Sequence, residues 1–143
     1  MIYTKLTKLA MKISFDAHKD QVDKTGLPYI FHPFHLAEQM DDENSVCVAL
    51  LHDVVEDTNI TFEDLKNYGF NNSIIDALKL LTHKDEVPYM DYVREIKKNE
   101  LAKKVKLADL THNSDLSRLD NITDFDLKRN EKYLAAKRIL QEE

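Results

Sequence analysis

Three short stretches hold the residues most able to do chemistry. In VCVALLHDVVEDT an apolar run ends in His52-Asp53 and, one turn later, in Glu56-Asp57. On a helix, residues four apart lie close together, so His52 would meet Glu56 and Asp53 would meet Asp57. Three carboxylates and an imidazole then crowd the end of a buried segment, where an unpaired carboxylate costs several kcal/mol. A divalent cation is the simplest partner for such a group. A helix that merely surfaces at His52, with solvated acids, would show the same pattern. In KLADLTHN, Ala102, Val105, Asp109 and His112 recur at helical spacing, which puts the Asp109 carboxylate on an apolar stripe. There it needs a metal or a salt-bridge partner. Asn113 follows one turn later on the same side, able to orient a ligand or to bond neighbouring backbone. In PYIFHPFH, His32 precedes Pro33, which biases its backbone towards an extended shape just outside a helix start. His35 competes with it as a ligand.

Together these stretches supply two imidazoles and two carboxylates, a set suited to a catalytic transition-metal site with open positions for water. Cys47 is the sole cysteine, so a thiolate zinc site is excluded. A metal of this kind lowers the pKa of bound water and draws charge from a phosphoryl oxygen. Glu56 and Asp57 lie just beyond the His-Asp pair, in reach of that water. One can position or deprotonate it, and the other could protonate a leaving oxygen. Lys24 is the candidate cation for phosphate charge. Lys106 and Arg118 are weaker candidates, more readily explained as solvent-exposed.

The elements that must position these groups read as helices. Residues 2–22 carry Leu6, Leu9, Ala10, Ile13 and Ala17 at helical spacing, and Gly26 and Pro28 mark a loop over 24–31. Pro33 suits the first position of a second helix, and 45–55 reads as a third, apolar on every side from Val46 to Leu51. Thr61 with Asp64, and Thr123 with Asp126, have the spacing of capping boxes, and Gly69 suits a helix stop. Further helices are predicted over 73–81, 89–98, 101–113 and 123–141. The expectation is an all-α fold of about seven helices with no strand. Tyr29, Phe31, Phe34 and Phe62 are read as core, and Cys47 as inert packing. His18 and His83 have no partner at useful spacing.

Composition narrows the function classes. At 143 residues the chain is expected to form one domain, 1–143. With 43% apolar and 32% charged residues it is globular rather than disordered, and two glycines with three prolines leave few turn residues for a sheet. A net charge of −6 argues against general nucleic-acid binding, though it leaves room for an anionic small molecule at a locally positive site. No apolar run approaches the roughly 20 residues of a membrane span. The N-terminal MIYTKLTKLAMKISF lacks a signal-peptide core, and a lone cysteine fits a reducing, cytoplasmic location.

GLPYIFHP, ALLHDVVEDT and VKLADLTHN, in that order, resemble the hydrolase domain of the RelA/SpoT family within the HD superfamily, and most of all its stand-alone members, the small alarmone hydrolases. The resemblance runs from about Ala17 to about Leu119. It implies a single all-helical HD-type domain, usually manganese-dependent, that removes the 3′-pyrophosphate from guanosine tetra- or pentaphosphate, the alarmones of the stringent response. Carried over by motif, the metal ligands are His32, His52, Asp53 and Asp109. Glu56 and Asp57 manage the water and the proton transfers, and Lys24 and Asn113 belong to substrate binding. No synthetase or regulatory domain is recognisable, so the expectation is hydrolysis only. Asp23 stands where the family has an arginine, Leu110 where it has an arginine after LAD, and Ser114-Asp115 where it has Met-Arg. These departures bear on the substrate more than on the reaction. Two enzyme readings therefore stay open, alarmone hydrolysis and hydrolysis of another nucleotide. Beside them stand an idle nucleotide-sensing module and a metal-free helical interaction domain.

Overall fold

Nine α-helices make up most of the regular structure among residues 1–142, which the computed structural model describes. In chain order they are α1 (Lys5–His18), α2 (Phe31–Glu38), α3 (Glu43–Leu51), α4 (Val54–Asp57), α5 (Phe62–Asn67), α6 (Asn72–Leu81), α7 (Tyr89–Lys97), α8 (Glu100–Asn113) and α9 (Asp124–Gln141). A 3-10 turn at Leu116–Arg118 precedes α9. The one pairing of extended backbone among the described residues is an isolated bridge between Val22 and Pro28, so the fold is all-α.

Local side chains set most helix starts. Thr61 and Asp64, and likewise Thr123 and Asp126, form reciprocal capping boxes at α5 and α9. Asp42, Asn71 and Asn99 each accept an amide of the first turn of α3, α6 and α8. Gly69 ends the α5 segment at φ 105°, in the left-handed region that glycine enters freely.

The middle of the molecule is α3. Every residue from Val46 to Leu51 is buried, because the helix packs against α1, α2, α6 and α8 at once. In turn α8 packs on α2, α3, α6, α7 and α9. The end of α3 and the inner face of α8 therefore meet in the protein interior, with the first turn of α2 beside them. Among the described residues no helix is long and apolar enough to cross a membrane.

Several boundaries differ from expectation. The helix expected over 45–55 is interrupted at His52-Asp53, giving α3 and the separate short α4, and this split adds to the helix count. The physical cause is competition for a carbonyl. His52 Nδ1 donates to Ala49 O at 2.7 Å, the same oxygen that a continuing helix would offer to the Asp53 amide. Asp53 then caps α4, its carbonyl accepting the Asp57 amide at 3.0 Å. At its front, α1 begins only after the Thr4 cap, and it stops at His18 rather than 22. Pro33 sits third in α2 rather than first, which costs nothing because the amides of the first turn have no helical partner. His32 is consequently inside the helix. Phe31 and Phe34, expected in the core, are 56% and 36% exposed.

Candidate functional site

His32 from the first turn of α2, His52 at the end of α3 and Asp109 on α8 are all buried and converge. One ligand atom from each lies within 4.8 Å of the others. His32 Nε2 is 2.8 Å from Asp109 Oδ1, and His52 Nε2 is 3.5 Å from the same oxygen. The backbone bond of His52 through Nδ1 leaves Nε2 to face the cluster. It lies 2.9 Å from Asp53 Oδ2, yet neither carboxylate is aligned to hydrogen-bond it, so it is a buried nitrogen without a partner. A nitrogen facing two carboxylates calls for positive charge between them, supplied by a proton on the imidazole or by a cation. A divalent cation meets that demand, and the donor set of imidazole nitrogens and carboxylate oxygens fits one.

The electrostatics agree. Burial would pull the His52 pKa down, but Asp53 and Asp109 more than reverse this and hold it well above its usual value. Burial would raise Asp109, but Lys106 and the two imidazoles hold its carboxyl well below the usual range. His112 is kept neutral, pushed down to about 4 by burial and then by Arg118, His32 and His35. Its Nδ1, 2.7 Å from His32 Nδ1, can accept that proton, the tautomer that frees His32 Nε2 for a ligand. His35 packs on His112 with ring centroids 4.4 Å apart and planes tilted by 36°, and it stays outside the buried trio.

The cluster opens onto a cavity of about 680 Å³. His52, Asp53, Glu56, Asp57, Asp109 and Asn113 all line it. Asp53 stands beside the trio, with the Tyr29 hydroxyl donating to its Oδ2. Glu56 Oε1 accepts the His83 amide at 2.6 Å, which ties α4 to the loop before α7. Burial is the main cause raising the carboxyl pKa of both Glu56 and Asp57, with Asp53 pushing the same way. Asn113 Nδ2 donates to Asp109 Oδ1 at 3.1 Å. Lys24 does not line the cavity; its ammonium donates to the Asn113 carbonyl at 2.9 Å. Asp23, in place of a cation, pairs with Arg118 at 3.1 Å, and both side chains are largely buried.

Several contributors were not expected. Lys106, read as solvent-exposed, has a side chain only 12% exposed, and its ammonium lies 3.0 Å from Asp109 Oδ2. The i, i+3 spacing of Lys106 and Asp109 was the available signal. Tyr89 and Tyr92 of α7, and Lys132 and Tyr133 of α9, also line the cavity, though no spacing ties α9 to the motifs. His18 is fully buried beneath Tyr29, with ring centroids 4.8 Å apart. His83 packs on Tyr92 at 4.6 Å.

No protein-family model matches the chain. It is 32% identical over 125 residues to the bifunctional (p)ppGpp synthase/hydrolase SpoT of Escherichia coli, a match covering 76% of this chain and 18% of that protein. It is 35% identical over 116 residues to the guanosine-3′,5′-bis(diphosphate) 3′-pyrophosphohydrolase of Haemophilus influenzae, covering 71% and 17%. The chain thus spans under a fifth of the length of these curated relatives. In fold it is similar to the solved structure of a metazoan SpoT orthologue described as hydrolysing ppGpp, with a TM-score of 0.76 at 23% identity, over 99% of this chain and 88% of that one.

Proposed function

The chain is an HD-type relative of the RelA/SpoT hydrolases, and from that premise we propose that it is a metal-dependent phosphohydrolase removing the 3′-pyrophosphate from guanosine tetra- or pentaphosphate. The observation that carries this reading is the buried convergence of His32, His52 and Asp109, with ligand atoms within 4.8 Å of one another and His52 Nε2 facing Asp53 and Asp109 at the edge of a cavity that Glu56 and Asp57 also line. His32, His52, Asp53 and Asp109 would hold the metal, and manganese suits their mixed nitrogen and oxygen donors. When bound, such a cation supplies Lewis acidity and brings the pKa of a coordinated water towards neutrality. Residues 1–143 act as one hydrolytic unit, in the reducing cytoplasm.

The chain's own groups do the rest. Glu56 and Asp57 reach solvent at the cavity, and partial desolvation with the Asp53 charge raises their pKa values, which makes them better proton acceptors than ordinary carboxylates and better donors once protonated. One takes the proton of the attacking water, and the other protonates the ribose 3′ oxygen as its bond to phosphorus breaks, so that GDP leaves with a free 3′ hydroxyl. Lys106 answers phosphate charge beside Asp109, and Asn113 holds Asp109 and the substrate in register. Lys24 braces the end of α8 through the Asn113 carbonyl, an indirect part in substrate binding.

The test is a panel. Purified protein with manganese is offered guanosine tetraphosphate, other nucleoside polyphosphates and nucleoside 5′-monophosphates. The expected result is release of pyrophosphate and GDP from guanosine tetraphosphate. Hydrolysis of 5′-monophosphates instead would assign a different nucleotide. Tight binding of the tetraphosphate without turnover would replace the enzyme with a sensing module.

Tyr29 offers a smaller check. Its hydroxyl donates to Asp53 Oδ2 and so orients a proposed ligand from behind. Tyr29→Phe is expected to weaken manganese binding by roughly tenfold, the lower end for losing such a supporting bond. Manganese titration reads this directly, and unchanged affinity would remove Asp53 from the proposed ligand set or Tyr29 from its support.

A further inference from the structure

Two lysines, Lys106 and Lys132, line the cavity, and they are not alike. Lys106 is answered by Asp109 at 3.0 Å, Arg129 by Asp126 at 2.8 Å and Arg118 by Asp23 at 3.1 Å. Lys132 has no carboxylate within 4.0 Å among the described residues, although its side chain lines the same cavity as His52 and Asp109. What holds it is aromatic. Its ammonium lies 4.7 Å from the Tyr89 ring centroid and 5.4 Å from that of Tyr133. The Tyr89 ring is shared, with the Lys106 ammonium 5.8 Å from its centroid. Lys132 is exposed overall, and partial desolvation together with the Lys106 and Arg129 charges lowers its pKa. An exposed ammonium lying over two aromatic faces at a cavity wall, beside like charges and with no acid paired to it, is placed to take an incoming anion.

The position of Lys132 indicates which anion. The phosphate being cleaved must lie at the His32, His52 and Asp109 cluster, where Lys106 already stands. Lys132 comes from α9, beyond the stretch Ala17 to Leu119 that carries the motifs, and touches none of that cluster. A ligand with a single phosphate at the cluster would leave Lys132 unanswered. A ligand with a second anionic group, its base and sugar lying along the tyrosine wall, would satisfy both.

We propose that Lys132 is the specificity-determining cation of this site, binding the phosphate that is not hydrolysed, so that nucleotides phosphorylated at two positions are selected over those phosphorylated at one. This rests on the hydrolase reading above and names a residue for its substrate class. A charge-assisted contact of this kind corresponds to roughly tenfold or more in affinity.

The experiment compares manganese-loaded wild type, Lys132→Gln and Lys132→Arg on guanosine 3′,5′-bis(diphosphate) and on guanosine 3′-diphosphate without 5′ phosphates. The expected result for Lys132→Gln is a KM raised roughly tenfold or more on the bis(diphosphate), with kcat changed far less and a much smaller loss on the 3′-diphosphate. Lys132→Arg should recover most of the loss. Equal losses on both substrates, no loss, or a fall in kcat that arginine does not restore would each overturn the assignment while leaving the hydrolase reading intact. If wild type cleaves neither substrate, the hydrolase reading fails. Calorimetric binding of the same two nucleotides then decides Lys132: tighter binding of the bis(diphosphate) that Lys132→Gln abolishes keeps it, and equal binding rejects it.

Discussion

Asp109→Ala is expected to abolish divalent-metal binding and hydrolysis together, and to destabilise the fold by about 3–5 kcal/mol. Asp109 is 5% exposed; Lys106 Nζ at 3.0 Å and Asn113 Nδ2 at 3.1 Å donate to it, and His32 Nε2 lies 2.8 Å from its Oδ1. Its removal takes a proposed ligand from the trio and strands the Lys106 ammonium in the interior. Burial opposes that charge, and Asp109 is the main group overriding the opposition. A buried charge without its partner is among the costlier defects a point change can make. The two effects separate in the double variant. Asp109→Ala with Lys106→Met removes both charges and should recover most of the stability, but no metal binding. Urea melts and manganese titration of the two variants give the answer, and metal binding retained in either would remove Asp109 from the site. The stability effect also has a sign in pH. The Asp109 carboxyl is held well below its ordinary value, so its contribution is in full at neutral pH and is lost as pH falls towards the folded value. The gap between metal-free wild type and Asp109→Ala should therefore narrow in acid.

Replacing Glu56 with Gln and Asp57 with Asn together should cost roughly 100-fold or more in turnover while manganese and nucleotide still bind, the usual scale for losing general acid–base help. Glutamine keeps an oxygen for the His83 amide, so the tie between α4 and the loop before α7 survives. The proton-transfer capacity does not. Single-turnover rates at saturating manganese, paired with calorimetric nucleotide affinity, make the comparison. Unchanged turnover would show that these carboxyls are not the catalytic acids. Loss of metal as well would make them ligands and enlarge the proposed set of four.

What could be read from the chain alone was local. The capping boxes at Thr61 and Thr123, the stop at Gly69 and the buried stretch Val46 to Leu51 follow from spacings of three or four residues, and a helix turns those spacings into contacts wherever it lies. The same logic set Asp109 on an apolar stripe and so marked it as needing a counter-charge. The i, i+3 spacing offered Lys106 on the same helix as one partner, and the fold added two imidazoles from α2 and α3 that no spacing could name. Nor could it foresee the break at His52, because a continuous helix suits the apolar run. The break arises when the imidazole takes the Ala49 carbonyl and turns its other nitrogen to the cluster. The tyrosine and lysine wall was further out of reach. Tyr89 and Lys132 meet only because α9 packs back across α7, and contacts between residues so far apart in the chain are decided by which faces the core leaves uncovered rather than by any periodicity.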